Sequence, residues 1–424
     1  MPVILAGPAQ TMSFAAPSYA FAAPFQTPAA SPIRSLMAYA MRPGSISMAG
    51  GYPAQELFDV EGLTIASTQV LARLGGCLQY SDIDGQASLK NELARLSAER
   101  GVVCDPGTEL AVTGGSQQAL ALVSRVMLQP GDHAFIESPA FPNSVQALRY
   151  TGATVHPVAS GPQGIDLEQL DEMAGRIRPK MVCVVASFSN PCGATISRER
   201  RLRLLELAVK HQFLIVEDDP YGELRFAGEH VPPIAALADG QARQWAVYIS
   251  TMSKTMAPSL RIGWLVAPAE VRRRCVGAKA ADDMASSAWV QEIVAQYLAN
   301  GRYHEHVPRI RAAYGLRCDA LAQALHTHLD GRVTFIKPEG GMFFWARLNG
   351  QADATRLLPY AIEQGVVYVP GKAFYADPAQ ADPHAMRLSF ATMNESLIAQ
   401  GIERLARALD ACEANAPVSV SLAA

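Results

Sequence analysis

The chain alternates two kinds of apolar segment from about residue 86 onward. Segments with apolar residues at helical spacing, such as QASLKNELARLSAERG (86–101) and RERRLRLLELAVKHQ (198–212), predict amphipathic helices. Short, nearly continuous apolar runs predict buried strands at ELAVT (109–113), HAFIESP (133–139), KMVCVVASFSNP (180–191), FLIVEDDP (213–220), AVYISTM (246–252) and RIGWLVAP (261–268). Buried strands separated by helices are typical of an α/β fold with a mostly parallel sheet covered on both faces.

The pattern changes after about residue 300. A long helical stretch (302–327) leads to GGMFFWARL, GVVYVPG and AMRLSFA, and a last helix is predicted over 394–410. This order indicates a smaller α+β domain. The predicted organisation is a flexible N-terminal arm (1–30), a segment packing with the small domain (31–65), a large domain (66–305), a small C-terminal domain (306–414) and a loose tail (415–424).

Composition narrows the function classes. Of 424 residues, 49% are apolar and 18% charged, and the net charge of −3 gives no reason to expect nucleic acid or a membrane surface as partner. The seven cysteines are scattered and never form CxxC, which predicts free thiols in a reducing cytoplasm and no metal site. The first thirty residues lack Lys and Arg, so the charged start of a signal peptide is missing.

Two glycine-containing turns follow predicted strands. In TGGSQQAL (113–120), Ser116 and Gln117 would open a helix whose N-terminus suits a phosphate, although a serine-capped glycine turn is also an ordinary helix start. In SNPCG (189–193), Asn190 offers an amide donor, although the segment also fits a plain turn. In α/β sheets, ligands bind at the carboxyl ends of strands, which is where both turns lie.

Two acids end the strand of VEDDPYGEL (216–224). Asp218 and Asp219 as a pair would suit Mg²⁺, whereas a single carboxylate would suit a protonated ring nitrogen. A solvated turn is the third interpretation. Tyr221 lies just beyond the two acids.

The segment STMSKTMAPSLRIGW (250–264) holds a lysine among small hydroxyl residues. Thr251, Ser253 and Arg261 would converge on a dianionic phosphate, which the planar guanidinium fork fits well. Lys254 would then lie beside the molecule that carries the phosphate. An amine near cations is deprotonated more easily, as a covalent nucleophile requires.

These motifs, in this order, resemble the fold-type I pyridoxal-phosphate aminotransferases of classes I and II, and among them the 2-aminoadipate/kynurenine aminotransferase group. The resemblance runs from about Ser31 to Ala414. It is carried by SPIRSLMAYA, SMAGGYPAQELF, TGGSQQAL, SNPCG, EDDPYGEL, STMSKTMAPSLRIGW, GGMFFWARL, VPGKAFY and MRLSF. It implies a large domain with a mostly parallel central sheet, a smaller α+β domain, and pyridoxal 5'-phosphate as cofactor.

The resemblance also implies residue roles around the cofactor. Lys254 forms the covalent bond to the cofactor and then moves the proton at the substrate Cα. Asp218 pairs with the pyridinium nitrogen, and Asn190 and Tyr221 bond the phenolic oxygen. Tyr80 reaches the phosphate of the other subunit, so a homodimer with active sites at the subunit interface is implied. The phosphate ligands are Ser116, Gln117, Thr251 and Arg261, with Ser253 close by.

The substrate residues implied by the resemblance lie at both ends of the chain. Arg387 binds the α-carboxylate, with Asn190 beside it. Arg34, Gly51 and Tyr52 belong to a segment that closes over the substrate side chain. Arg34 would take a distal carboxylate, or swing out for an aromatic or aliphatic side chain. The expected reaction moves the amino group of an L-amino acid to 2-oxoglutarate or pyruvate, with broad specificity.

Two departures from the family pattern are visible. Phe141 stands where a tyrosine ring often stacks on the cofactor, so stacking is kept and the hydroxyl is lost. Gln86 and Ala87 change the start of the helix that follows the Tyr80 loop. Other cofactor-dependent reactions at Cα (decarboxylation, elimination, racemisation) remain alternatives on this fold, although a salt-bridged carboxylate favours transamination. A transcription regulator with this fold would need a basic winged-helix domain ahead of it, where only about thirty uncharged residues precede Ser31.

Overall fold

The computed structural model of the protein describes residues 19–26, 32–73 and 75–415. The predicted tail lies outside the described residues except for residue 415, and so do residues 1–18 and 27–30 of the predicted arm. Within the arm, Ala23–Phe25 forms one 3₁₀ turn. The Phe25 ring stacks on Tyr150 with centroids 4.5 Å apart.

The helices and strands follow the predicted alternation. The helices are α1 (Pro32–Ser35), α2 (Met37–Ala40), α3 (Val60–Leu71), α4 (Ala87–Glu99), α5 (Ser116–Met127), α6 (Pro142–Arg149), α7 (Leu167–Ile177), α8 (Arg198–His211), α9 (Ile234–Leu237), α10 (Ala269–Asp282), α11 (Ala288–Ala299), α12 (Arg302–Leu329), α13 (Ala354–Glu363) and α14 (Glu395–Ala414). The strands are β1 (Ile46–Ser47), β2 (Leu110–Thr113), β3 (His133–Ser138), β4 (Thr154–Gly161), β5 (Gly164–Ile165), β6 (Met181–Val184), β7 (Leu214–Asp218), β8 (Ala246–Thr251), β9 (Gly263–Val266), β10 (Val333–Phe335), β11 (Phe343–Leu348), β12 (Val366–Val367), β13 (Val369–Pro370) and β14 (Ala385–Ser389).

The main sheet has the strand order β2-β9-β8-β7-β6-β3-β4-β5. Neighbouring strands from β4 through β3, β6 and β7 to β8 pair in parallel, and β9 and β5 are antiparallel to their neighbours. The mostly parallel α/β sheet predicted from the sequence is therefore confirmed. Strand β6 is shorter than the predicted 180–191, because the chain leaves the ladder after Val184.

Alternation along β7 shows why both faces of the sheet are covered. Leu214 and Val216 point into one apolar cluster, which contains residues of α5, while Ile215 points into another, which contains residues of α7 and α8. All five residues of β7 are buried. A strand buried on both faces has no solvent-facing positions, so β7 opens with an apolar run over 214–216 and shows no alternation of apolar and polar residues.

A second, four-stranded sheet has the order β10-β11-β14-β13 and is antiparallel throughout. Its core joins residues of α12, α13 and α14. Strand β1 pairs in parallel with β12, so the segment near residue 46 is attached to this part of the chain. Helix α12 is continuous across the predicted domain boundary at residue 305. Across the described part of the chain, no helix has the length and apolar character needed to cross a membrane.

Candidate active site

The ends of three strands meet at the first of the two predicted glycine-containing turns, 113–120. Thr113 at the end of β2 and Thr251 at the end of β8 both pair with Gly263, the first residue of β9. A Cβ on Gly263 would lie 2.5 Å from the carbonyl carbon of Gly115, so only glycine allows this approach. The close contact places the N-terminus of α5, which begins at Ser116, beside the hydroxyl residues that follow β8.

Small hydroxyl groups and one guanidinium converge at this point. The hydroxyls of Thr251 and Ser253 lie 2.9 Å apart, and Thr251 also donates to the Ile262 carbonyl over 2.8 Å. Arg261 donates to the Ser253 hydroxyl over 3.5 Å and to the carbonyl of Gly114. Among the described residues, no carboxylate forms an ion pair with Arg261. A cation, two hydroxyls and a helix N-terminus together suit a phosphate.

Lys254 lies next to this group of Thr251, Ser253, Arg261 and the N-terminus of α5, which we call the cradle. Its Nζ donates to the Gly51 carbonyl over 2.8 Å, and in the described part of the chain it has no carboxylate ion-pair partner. Burial, together with the charges of Arg387 and Arg261, lowers the pKa of Lys254 to about 8. Such an amine is largely neutral in mildly alkaline solution and can act as a nucleophile.

The two acids at the end of β7 lie in different surroundings. Burial and the charge of Asp219 raise the pKa of Asp218 to about 7, against the opposing effects of Ser116 and Lys254. Oδ1 of Asp218 is buried without a hydrogen-bond partner among the described residues. Asp219 instead forms an ion pair with Arg100 and accepts from the backbone N–H of Gly222 over 3.0 Å. Asp218 is therefore the acid left to bind a partner that carries a proton.

Arg387 on β14 is a buried cation, only 1% exposed. Its guanidinium donates to Oδ1 of Asn190 over 2.8 Å and to the Ala49 carbonyl, and it lies between the rings of Phe343 and Phe374, with Cζ 4.3 and 4.8 Å from their centroids. Burial lowers its pKa to about 10, and its Nε has no hydrogen-bond partner among the described residues. A buried guanidinium without a carboxylate partner is suited to bind one from a ligand.

Asn190 contacts Arg387, and Tyr221 contacts Phe343 beside it. Tyr221 is 5% exposed and its ring meets Phe343 edge-on, with centroids 5.7 Å apart. Burial raises the pKa of Tyr221, against the opposing charge of Arg387 and a hydrogen bond with Asn190. The tyrosine therefore stays protonated and can donate a hydrogen bond to an anionic oxygen.

The remaining predicted site residues are partly or largely exposed. Phe141 is half-buried at the start of α6, and Gln117 donates to the Asn143 carbonyl over 3.1 Å. Tyr52 is half-exposed, with its hydroxyl 4.0 Å from the Met37 sulfur, and Arg34 is exposed on α1. Tyr80 is 78% exposed in a loop outside the cradle of its own chain.

Three features of the site have no counterpart among the predicted residues. Phe343 and Phe374 enclose Arg387, and Arg100 engages Asp219. Both phenylalanines stand in motifs that carried the resemblance, GGMFFWARL and VPGKAFY, but only tertiary structure shows which arginine they face. Among the described residues, no group of three or more His, Cys, Asp or Glu side chains is arranged to hold a metal ion.

Comparison with known proteins identifies the family. The profile described as aminotransferase class I and II matches residues 54–405. The chain belongs to the class I and II aminotransferases. It is 37% identical over 386 residues to aromatic-amino-acid aminotransferase 1 of Thermococcus litoralis, with 90% of this chain and 91% of that protein covered.

Solved structures agree with this assignment. A multiple substrate aminotransferase from Thermococcus profundus superposes with a TM-score of 0.87 at 36% identity, covering 93% of this chain and 98% of that one. LysN is an alpha-aminoadipate aminotransferase from Thermus thermophilus, solved in complex with N-(5'-phosphopyridoxyl)-L-leucine. It superposes with a TM-score of 0.83 at 34% identity, covering 91% of this chain and 96% of that one. The fold is that of the fold-type I aminotransferases, and the protein is a pyridoxal-phosphate-dependent aminotransferase.

The residues of the site fit this cofactor. The unpartnered buried oxygen of Asp218 suits a protonated ring nitrogen, and Arg261 without a carboxylate partner suits the phosphate. The lowered pKa of Lys254 suits an amine that must attack an aldehyde. When bound, pyridoxal phosphate supplies an electron sink for the electron pair released at the substrate Cα.

Proposed function

We propose that the enzyme moves the amino group of aromatic, aliphatic and 2-aminoadipate-type L-amino acids to 2-oxoglutarate or pyruvate. The observation that carries the proposal is the buried Arg387, whose guanidinium has no carboxylate partner among the described residues and lies between two phenyl rings. Every amino acid and every 2-oxo acid has the carboxylate that this group would bind. Support for a broad donor range comes from the relatives, which act on aromatic amino acids, on multiple substrates or on alpha-aminoadipate.

In this proposal, Arg387 holds the substrate carboxylate by two parallel hydrogen bonds. A carboxylate held in this way is kept from leaving, which favours amino transfer over decarboxylation. The alternatives of decarboxylation, elimination and racemisation gain no support from the three relatives, all of which are aminotransferases.

Four residues act on the cofactor's aldehyde and ring and on the substrate Cα. Lys254 binds the cofactor covalently and then moves the proton at Cα. Asp218 keeps the ring nitrogen protonated, and Asn190 and Tyr221 donate to the phenolic oxygen. The raised pKa of Tyr221 supports its role as a donor.

The phosphate and the ring face have their own ligands in this proposal. The phosphate is held by Ser116, Gln117, Thr251, Ser253 and Arg261. Phe141 stacks on the ring. The convergence of the hydroxyls of Thr251 and Ser253 with Arg261 supports the phosphate assignment.

The substrate side chain lies against the segment of Arg34, Gly51 and Tyr52. A donor panel of glutamate, 2-aminoadipate, leucine and phenylalanine, measured as kcat/KM with 2-oxoglutarate and with pyruvate, tests the assignment. Arg387→Ala is expected to lower kcat/KM for every donor and acceptor alike, by roughly 30-fold to several thousand-fold, because loss of one partner of a buried charge pair costs about 2–5 kcal/mol. Arg34→Ala is expected to lower kcat/KM for glutamate, 2-aminoadipate and 2-oxoglutarate far more than for leucine or phenylalanine.

Two outcomes would count against these roles. An Arg34→Ala variant that lowered all donors equally would make Arg34 a structural residue, and the side-chain site would be sought first at Tyr52. An Arg387→Ala variant with unchanged kcat/KM would remove Arg387 from the carboxylate site.

The assembly and location are part of the same proposal. The enzyme is a homodimer whose active sites lie at the subunit interface, and exposed Leu78 and Tyr80 support this. The seven free cysteines support a cytoplasmic location. The chain divides into the N-terminal segment 31–65, the large domain 66–305 and the small domain 306–414, and the pairing of β1 with β12 supports the placement of the N-terminal segment.

A further inference from the structure

Arg100 is a buried arginine to which the proposed function gives no role. It follows the last residue of α4 and is 6% exposed. Its guanidinium forms an ion pair with Oδ2 of Asp219 and donates to the Tyr248 hydroxyl over 3.2 Å. The Tyr248 hydroxyl in turn donates to Oδ2 of Asp219 over 3.1 Å. One carboxylate oxygen of Asp219 thus accepts two hydrogen bonds from a closed, buried triangle.

Asp219 also fixes the turn that follows β7. Its other carboxylate oxygen accepts from the backbone N–H of Gly222 over 3.0 Å. Its own N–H donates to the Ile249 carbonyl over 2.8 Å, and its carbonyl accepts from the Ser250 hydroxyl over 2.9 Å. The turn therefore has both its backbone and its side chain tied to β8. Asp218 immediately precedes this fixed residue and Tyr221 lies within the turn.

The glycine at position 222 leaves room for the Arg100 guanidinium beside Asp219. A Cβ on Gly222 would overlap the Arg100 guanidinium and lie 2.5 Å from Oδ1 of Asp219. The φ of Gly222 is not in the left-handed region that would itself demand glycine. The small residue is therefore explained by the space that the guanidinium needs.

The charge of Asp219 matters because it adjoins Asp218. Two neighbouring buried carboxylates repel each other, and the electrostatic effect of Asp219 opposes ionisation of Asp218. The guanidinium of Arg100 offsets that negative charge. Its Nε also lies 3.4 Å from Glu223, which forms an ion pair of 2.7 Å with Arg311 on α12. This ion-pair chain connects Asp219, which follows β7, to the long helix α12.

We propose that Arg100 is a positioning residue for the cofactor. Its ion pair with Asp219 holds the turn between Asp218 and Tyr221 and cancels the second negative charge, so that Asp218 alone presents its carboxylate to the ring nitrogen. The proposal rests on the assignment of Asp218 to that nitrogen. It adds a residue outside the cofactor's reach that sets how Asp218 meets the cofactor.

The test compares two probes that differ only at the ring nitrogen. Apoprotein is titrated with pyridoxal 5'-phosphate and with its 1-deaza analogue, and Kd is measured by protein fluorescence. Arg100→Met is expected to raise the Kd of pyridoxal phosphate by about tenfold or more, because a mispositioned or repelled carboxylate loses a charge-assisted hydrogen bond. The Kd of the analogue, which has no ring nitrogen for Asp218 to bind, is expected to rise far less. Arg100→Lys is expected to restore much of the preference for pyridoxal phosphate.

Arg302→Met is the matched control, because Arg302 forms an ion pair of 2.8 Å with Asp59 away from the cofactor residues. It is expected to lower the Tm while leaving the ratio of the two Kd values unchanged. Equal weakening of both probes by Arg100→Met would overturn the proposal and leave Arg100 a structural residue. A wild-type protein that bound both probes equally would instead overturn the assignment of Asp218, so the two failures are distinguishable.

Discussion

At the scale of single residues, surroundings decide which of two similar side chains is reactive. Lys254 and Lys279 both occupy positions sheltered from solvent. Lys279 forms an ion pair of 2.7 Å with Asp283. Lys254 has a backbone carbonyl as its partner and two arginines nearby, which favour the neutral amine. The same contrast separates Asp218, with an unpartnered oxygen, from Asp219, with a buried cation.

The lowered pKa of Lys254 predicts how fast the apoprotein takes up its cofactor. Because only the neutral amine attacks an aldehyde, the rate of covalent attachment should rise with pH and level off above about 8. The rate is measured by the change in visible absorption after mixing apoprotein with pyridoxal phosphate. A rate that kept rising toward pH 10 would contradict the lowered pKa.

Borohydride reduction should label the peptide containing Lys254, and Lys254→Ala should abolish the label. A label on Lys279 or Lys372 would refute the assignment.

The raised pKa of Asp218 predicts a pH-dependent cost to the stability of the apoprotein. A carboxyl with a higher pKa in the folded state binds its proton more tightly there, so stability falls as the pH rises from the unfolded value of 3.8 to about 7. The shift of about 3 units corresponds to about 4 kcal/mol at most. Asp218→Asn apoprotein should therefore gain about 1–3 kcal/mol over wild type at pH 8 and nothing at pH 4, measured by urea unfolding.

Asp219→Asn is the control for that prediction. It breaks a buried ion pair with Arg100, so it should destabilise the apoprotein at pH 8, where Asp218→Asn stabilises it. In the holoenzyme, Asp218→Asn should be the more damaging change, and it should slow proton abstraction more than Asp219→Asn does. If Asp219→Asn were the more damaging in the holoenzyme, the acid assigned to the ring nitrogen would be the wrong one of the pair.

At the scale of elements, the sequence predicted strand positions better than strand lengths and directions. Strands β7 and β8 lie within the predicted segments because their apolar runs end at polar residues, Asp218 and Thr251. Strand β6 is four residues long where twelve were predicted, since residues 185–188, all apolar except Ser187, are buried outside the ladder. The antiparallel direction of β9 depends on how the chain returns from β8, which an apolar pattern does not encode.

The approach of β9 to the turn before α5 gives a prediction for that pair of elements. Gly263→Ala would place a methyl group 2.5 Å from the Gly115 carbonyl carbon and 2.8 Å from the Ser116 nitrogen, both of them backbone atoms. The turn must then move, and pyridoxal phosphate binding should weaken by about tenfold or more, which corresponds to about 1.4 kcal/mol. Fluorescence titration of the apoprotein measures this effect.

Gly277→Ala is the control for the Gly263 change. Gly277 lies inside α10, and a Cβ there would meet no atom within 4 Å. Replacement of a helical glycine by alanine stabilises by about 0.5–1 kcal/mol, so this variant should keep its affinity and gain slightly in Tm. Unchanged affinity in the Gly263→Ala variant would mean that the α5 turn is not the phosphate site.

At the scale of the whole molecule, one of the predicted cofactor residues does not join the others around Lys254. The residues around Lys254 come together within the chain. Tyr80 is the exception, because it is exposed and lies outside the cradle of its own chain, and Leu78 beside it is 67% exposed. The sequence predicted Tyr80 to act across subunits only through the resemblance, since no local pattern encodes a contact with another chain.

A mixing experiment tests whether Tyr80 acts on the partner's cofactor. Lys254→Ala and Tyr80→Ala are each expected to give poorly active homodimers. In a hybrid dimer, one site combines the intact Lys254 of the Tyr80→Ala chain with the intact Tyr80 of the Lys254→Ala chain. If subunits reassort at random from equal amounts, half of the dimers are hybrids with one intact site each, so about a quarter of wild-type activity should return. Activity is measured before and after the two variants are unfolded and refolded together, with each variant refolded alone as the control. No gain on co-refolding, despite hybrids seen by native mass spectrometry, would show that Tyr80 serves its own chain's site or none.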